Sequence, residues 1–197
     1  TPRPPVVPWA GALPEHPLRH AYARVGGPHA DLAWAGAVLE ARGAALTGMP
    51  EQVRTWNLSS LWRLPTTSGP VWLKVVPPFF AHEAEVLAAL VDAPVPRLLG
   101  RQGCRILLAQ VDGNDLYDAT LRQCLAMIDL LVELQSAWLG REEELLRLRL
   151  PDWRGPAMTL ALRELVERRA QEFAPAEREV LARFVAGLPV RFAAIAA

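Results

Sequence analysis

Lysine is almost absent from this chain of 197 residues: of its 21 basic residues only Lys74 is a lysine, and the rest are arginine. Cysteine is scarce too. Cys104 and Cys124 stand at no metal-ligand spacing, and two cysteines exclude a disulfide framework, so a reducing cytoplasm is the default compartment. No run approaches the roughly 18 consecutive apolar residues of a membrane span, so no membrane partner is expected. Net charge is missing: 21 basic and 21 acidic residues cancel, leaving no signature of a nucleic-acid or anionic-membrane partner. The start, Thr1-Pro2-Arg3-Pro4-Pro5, lacks the charged region and apolar core of a secretory signal. It also lacks an initiating methionine, and residues 191–197 run on in helical composition, so the chain reads as cut rather than finished. His16, His20, His29 and His82 have no zinc-site spacing, and no Gly-x-Ser-x-Gly elbow is present.

What is present is apolar. Hydrophobic residues make up 51% of the chain, enough for a sizeable core in one large domain or two small ones. Residues 1–30, rich in Pro, Gly and His, read as an extended arm that Trp9, Leu13, Leu18 and Tyr22 can anchor. Asp31 is a good N-cap for a helix that stops near Gly43. From Gln52 the apolar period changes to two, and strands are expected over 52–58, 61–64 and 71–76 as an antiparallel meander, with a polar interruption at 57–60. A helix over 81–91 follows, then a short extended piece over 95–99 and an apolar strand over 105–111. After Asp112-Gly113-Asn114-Asp115 the pattern is helical only, over 120–138, 141–150, 157–173, 175–187 and the remainder. The class is therefore α+β: an arm and helix at 1–45, a sheet-bearing segment at 46–112 and helices at 113–197, with the join near Gly113.

The single lysine lies in Val71-Trp72-Leu73-Lys74-Val75-Val76, an otherwise apolar strand. Lysine is a compact point charge on a flexible stem, whereas arginine is a wide planar fork. One lysine retained in a chain that otherwise uses arginine points to a need the fork cannot meet, such as holding the phosphates of a nucleotide. An edge strand that uses the charge to discourage sheet-to-sheet pairing is the other reading. Glu83 and Glu85 follow on the next helix. Two residues of helix turn about 200°, so only one of them faces the sheet; a solvated helix face is the ordinary place for a glutamate.

Three stretches together resemble the aminoglycoside phosphotransferase and choline kinase group, which has the protein-kinase-like fold. They are the lysine strand 71–76, the helix His82-Glu83-Ala84-Glu85-Val86-Leu87-Ala88-Ala89-Leu90 with Val95-Pro96-Arg97-Leu98-Leu99 after it, and Ile106-Leu107-Leu108-Ala109-Gln110-Val111-Asp112-Gly113. The order strand, strand, lysine strand, glutamate helix, strands, linker, helices is that of a kinase small lobe leading into the helical start of a large lobe. The resemblance covers 53–113; residues 120–197 match it only as helices in the expected place, and 1–45 lie outside it.

The resemblance implies that Lys74 contacts the α- and β-phosphates of ATP and that Glu83 pairs with it. It implies that residues 57–60 form the loop over the phosphates, with the hydroxyls of Ser59 and Ser60, although this loop has no glycine and reads equally as a plain hairpin turn. The backbone of Ala109 and Val111 would meet the adenine edge, with Leu108 behind it. Asp112, Asp115 and Asp118 would either attract a cationic substrate or charge a helix N-terminus. The seven tryptophans read as core residues more readily than as stacking platforms. The group takes its base-like aspartate and its Mg²⁺ ligands from a His-Gly-Asp-x-His-x-x-Asn loop and a later aspartate. Here the last histidine is His82 and the last aspartate Asp152, so that loop is absent. The function implied is an ATP-dependent phosphotransferase acting on a small-molecule hydroxyl, present as a fragment without catalytic residues or metal ligands. The alternative is a non-catalytic nucleotide-sensing or protein-interaction module on the same fold. Oligomeric state stays open.

Overall fold

A computed structural model describes residues 16, 18–113 and 116–196, which form a mixed α+β structure in two compact units, one through Glu142 and one from Glu143. In the first unit, β1 (Glu51–Trp56), β2 (Ser59–Leu64), β3 (Val71–Val75), β4 (Leu98–Gln102) and β5 (Arg105–Ala109) make one antiparallel sheet in the order β1-β2-β3-β5-β4. Helix α1 (Gly27–Ala41) precedes the sheet, and α2 (Glu83–Ala89) lies between β3 and β4. Because β4 takes the outer edge, β5 is inserted beside β3 with neighbours on both sides. Its apolar run suits that position: Ile106, Leu107 and Leu108 are buried on both faces.

The alternation of side chains in β3 assigns the two faces. Val71, Leu73 and Val75 face Leu64 and Leu107, and Ala35 and Leu39 of α1 cover them together with Tyr22. On the opposite face Ile106 and Leu108 are covered by Ala84 and Leu87 of α2, with Trp72 and Leu98 beside them. Gly100 permits the close approach of α1 to β4. A Cβ built there would stand 2.7 Å from Val38 Cγ1, and the β4 register shifts between Leu98 and Gly100 at the same place.

Several local expectations are corrected. Asp31 is not a helix cap. The helix begins four residues earlier, behind Gly26 with φ 81°, because Pro28 in the first turn pre-sets the helical φ. Asp31 instead lies buried within α1 and accepts from Arg105 Nε at 2.7 Å, tying the helix to β5. The arm is anchored by buried Tyr22, in the short 3₁₀ turn Ala21–Ala23, while Leu18 is exposed; Trp9 and Leu13 lie outside the described residues. Ser59 and Ser60 belong to β2, leaving Asn57 and Leu58 as a two-residue hairpin turn, since Trp56 pairs directly with Ser59. The extended piece expected at 95–99 is β4, three residues later, and β5 ends at Ala109.

After the linker, α3 (Leu121–Ser136) starts with a capping box, in which Thr120 accepts from the Gln123 backbone N–H and the Gln123 side chain accepts from Thr120. The compact units divide at Glu142, so α3 is grouped with the sheet; Leu130 and Leu134 of α3 and Trp138 line a cavity together with Leu90, Ala93 and Pro94. Leu121, Leu125, Ile128 and Leu131 of α3 remain exposed. The second unit takes in α4 (Glu142–Arg147), whose first residue closes the first unit, α5 (Gly155–Arg168), α6 (Pro175–Ala186) and α7 (Leu188–Ala196). Its buried residues are Thr159, Val185 and Leu188, and Gly155 lets α5 approach Phe192 of α7. Among the described residues no helix is long and apolar enough to cross a membrane.

Leu73 is fully buried at the centre of the first face. Leu73→Ala is expected to cost about 2–5 kcal/mol, the range for leucine truncation in a packed core. Urea denaturation followed by far-UV circular dichroism checks this, and a loss well under 1 kcal/mol would mean that α1 does not pack on the sheet.

Candidate functional site

Lys74 sits on the face of β3 opposite the α1 core, between its cross-strand neighbours Leu61 of β2 and Ile106 of β5. It is an interior strand position, so the edge-guarding role does not apply. Glu83 is the first residue of α2, and its Oε1 lies 2.5 Å from Lys74 Nζ. Both side chains are 30% exposed, so the pair stands at the lip of the packed region and is neither sealed in nor free. Glu85 faces away and meets Arg101 Nη1 at 3.0 Å. The turn of about 200° between the two glutamates gives each a different partner.

Beside this pair the same face of the sheet opens into a cavity of about 570 Å³, lined by Leu61, Trp72, Pro96, Leu108 and the linker residues 109–113. Lys74 is two residues from Trp72 along one face of β3, a step of about 7 Å at strand rise. The cavity is mostly apolar walled; Lys74 and Glu83 do not line it, and Leu61, the cross-strand neighbour of Lys74, is where its wall comes nearest the pair along the sheet.

The other expected residues fall as follows. The Ser59 hydroxyl accepts from Trp56 Nε1 at 2.8 Å, and the Ser60 hydroxyl accepts from Trp62 Nε1 at 2.9 Å and lies 3.1 Å from Thr55 Oγ1. Both serines are buried, and Ser60, paired with Val75, is on the face away from Lys74. Their hydroxyls thus serve the β1–β2 hairpin. The Ala109 N–H donates to Arg97 O at 2.9 Å, which commits that donor to the sheet. The Val111 carbonyl accepts from Gln110 Nε2 at 2.8 Å. Asp112 lines the cavity; Asp118 is exposed, and Asp115 lies outside the described residues. Thr120 caps α3.

Sequence reasoning passed over Trp72, Gln110 and Leu61. For Trp72 the signal existed, since a residue two before Lys74 on a strand must share its face. Gln110 carries no such signal, because its position follows from the end of β5.

Among the described residues no group of three or more His, Cys, Asp or Glu side chains could hold a metal ion. Asp152 is hydrogen-bonded to Arg154, which pulls its carboxyl down to about 2, and so weak a base is ill suited to proton transfer. Burial pushes the Cys104 thiol up, with nearby Asp31 adding to the rise and Arg105 opposing it. Cys124 is exposed on α3. Thiolate is the reactive form, so iodoacetamide at pH 8 should label Cys124 well before Cys104. Peptide mapping by mass spectrometry checks the order; faster labelling of Cys104 would contradict its partly buried place in the β4–β5 turn.

No family model, curated protein or solved structure matches this chain.

Proposed function

We propose that the cavity beside Lys74 binds the base and phosphates of ATP, and that the chain is the nucleotide-binding part of a phosphotransferase acting on a small-molecule hydroxyl. The sheet with α2 would be the small lobe of an aminoglycoside phosphotransferase or choline kinase-like protein, and the helices after the linker the start of its large lobe. One observation carries this reading: the only lysine is paired with Glu83 on the same sheet face as the cavity, next to its lining residues Leu61 and Trp72. A strand lysine paired to a helix glutamate is how kinases present an ammonium to phosphate. The pair is exposed enough for phosphate oxygens to reach the ammonium, and Glu83 keeps it extended along the face.

When bound, Mg²⁺ would neutralise phosphate charge. Among the described residues no group of three or more metal-ligating side chains is present, and this chain's own residues would bind and orient the nucleotide. Transfer needs an aspartate loop that the sequence does not contain. A second reading, a non-catalytic nucleotide-sensing or interaction module, is favoured by the exposed apolar side chains of α3, which suit a partner surface.

Calorimetric titration of the full chain with ATP, with and without Mg²⁺, tests the shared part of both readings. Lys74→Ala should lower affinity about tenfold or more, as expected for one charge-assisted contact of about 1.5–3 kcal/mol. Lys74→Arg should not restore it, because the planar fork does not fit the place of the ammonium. Glu83→Gln should weaken ATP binding while changing stability by less than about 1 kcal/mol, as for other half-exposed pairs. ATP affinity that is unchanged in Lys74→Ala, or absent from the natural sequence, would overturn the reading.

A further inference from the structure

A second hollow, of about 470 Å³, lies behind the linker. Leu39 of α1, Val71 and Leu99 line it, so it opens on the α1 face of the sheet. The cavity beside Trp72 is on the opposite face, since Val71 and Trp72 are consecutive strand residues. Ala109, Gln110 and Asp112 stand between the two hollows and border both. The Gln110 side chain is taken up on the first side, where its Oε1 accepts from Trp72 Nε1 at 2.7 Å and its Nε2 donates to the Val111 carbonyl. The second hollow has a charged wall. Arg42 at the end of α1 and Arg97 just ahead of β4 line it, together with Ser68.

Neither arginine has a carboxylate partner among the described residues. Arg101 pairs with Glu85 at 3.0 Å and Arg105 with Asp31 at 2.7 Å, whereas the Arg97 side chain makes no hydrogen bond or ion pair. Arg42 donates from Nη1 alone, to the Leu99 carbonyl at 3.2 Å. That bond ties its fork to β4 two residues from Arg97, a step of about 7 Å at strand rise. Asp112, on the linker side, is unpaired as well. Two open guanidinium forks offer more donors than one carboxylate accepts, and they suit the three terminal oxygens of a phosphate group. We propose that this hollow is a second ligand site, separate from the nucleotide cavity, and that it takes a small phosphate monoester with a hydroxyl-bearing remainder. The phosphate meets Arg42 and Arg97 and fills only part of the volume. The hydroxyls of the remainder reach Ser68 and Asp112, whose carboxylate accepts from them and repels a second anionic group.

Calorimetric titration of the full chain with glucose 6-phosphate, inorganic phosphate and glucose tests this, in about 0.15 M salt so that diffuse attraction is screened. The sugar phosphate is expected to bind about tenfold more tightly than inorganic phosphate, the gain from two hydroxyl contacts, and glucose alone is expected not to bind. Arg42→Ala and Arg97→Ala should each weaken the sugar phosphate about tenfold or more, as for a hydrogen bond to a charged group. Asp112→Asn should narrow the gap between sugar phosphate and inorganic phosphate. Lys74→Ala should leave all these affinities unchanged, because Lys74 is on the other face of the sheet, so this site stands or falls apart from the nucleotide reading. Arg97 is exposed and without a side-chain partner, so its alanine variant is expected to keep the melting temperature of the natural chain. Sugar-phosphate binding that is absent, that survives both arginine variants or that Lys74→Ala abolishes overturns the inference, as does inorganic phosphate binding as tightly as the ester.

Discussion

An ammonium placed in the interior of a sheet needs a counter-charge within reach, and that requirement organises the first unit. Lys74 occupies a strand with neighbours on both sides, where a lone cation would lose part of its water without compensation. Glu83 supplies the carboxylate only because α2 starts where it does, after Val76, buried Pro77 and the 3₁₀ turn Pro78–Phe80 have carried the chain off β3. The helix is short, and it is held by Ala84 and Leu87 on Ile106 and Leu108. The ion pair and that apolar contact fix the same helix edge from two directions.

The two faces of β3 divide the labour. Val71, Leu73 and Val75 build the core with α1, and Asp31 with Arg105 locks that layer through a charged contact. Trp72 and Lys74 point to the other side, where α2 covers only part of the sheet. The uncovered part is the cavity, whose outer rim is the linker after β5. Its shape is a consequence of sheet topology: β5 delivers the linker beside β3, so residues 109–113 meet Trp72 although they are far from it in sequence.

How much of this was legible in the sequence depended on the range of the interaction. The period of two in 71–76, the apolar run at 105–109 and the turns at Gly69 and Gly103 are local signals, and the strands follow them to within a few residues. The choice of Glu83 over Glu85 came from a resemblance and coincides with the geometry, in which each glutamate has its own arginine or lysine. Ser59 and Ser60 were misread as loop because polar residues favour turns, whereas tryptophan indoles from β1 and β2 satisfy their hydroxyls within the hairpin. Asp31 was misread as a cap because its contact with Arg105 spans most of the first unit, and no local pattern reports it. The Trp72–Gln110 bond is of the same long-range kind.

The single lysine makes the central claim directly measurable. Selective ¹⁵Nζ-lysine labelling of the full chain yields one side-chain ammonium resonance, free of overlap. The account predicts that this signal is protected in the natural sequence, loses that protection in Glu83→Gln, and shifts on saturation with ATP. A resonance with the exchange rate of a free ammonium, indifferent to both Glu83→Gln and ATP, would contradict it.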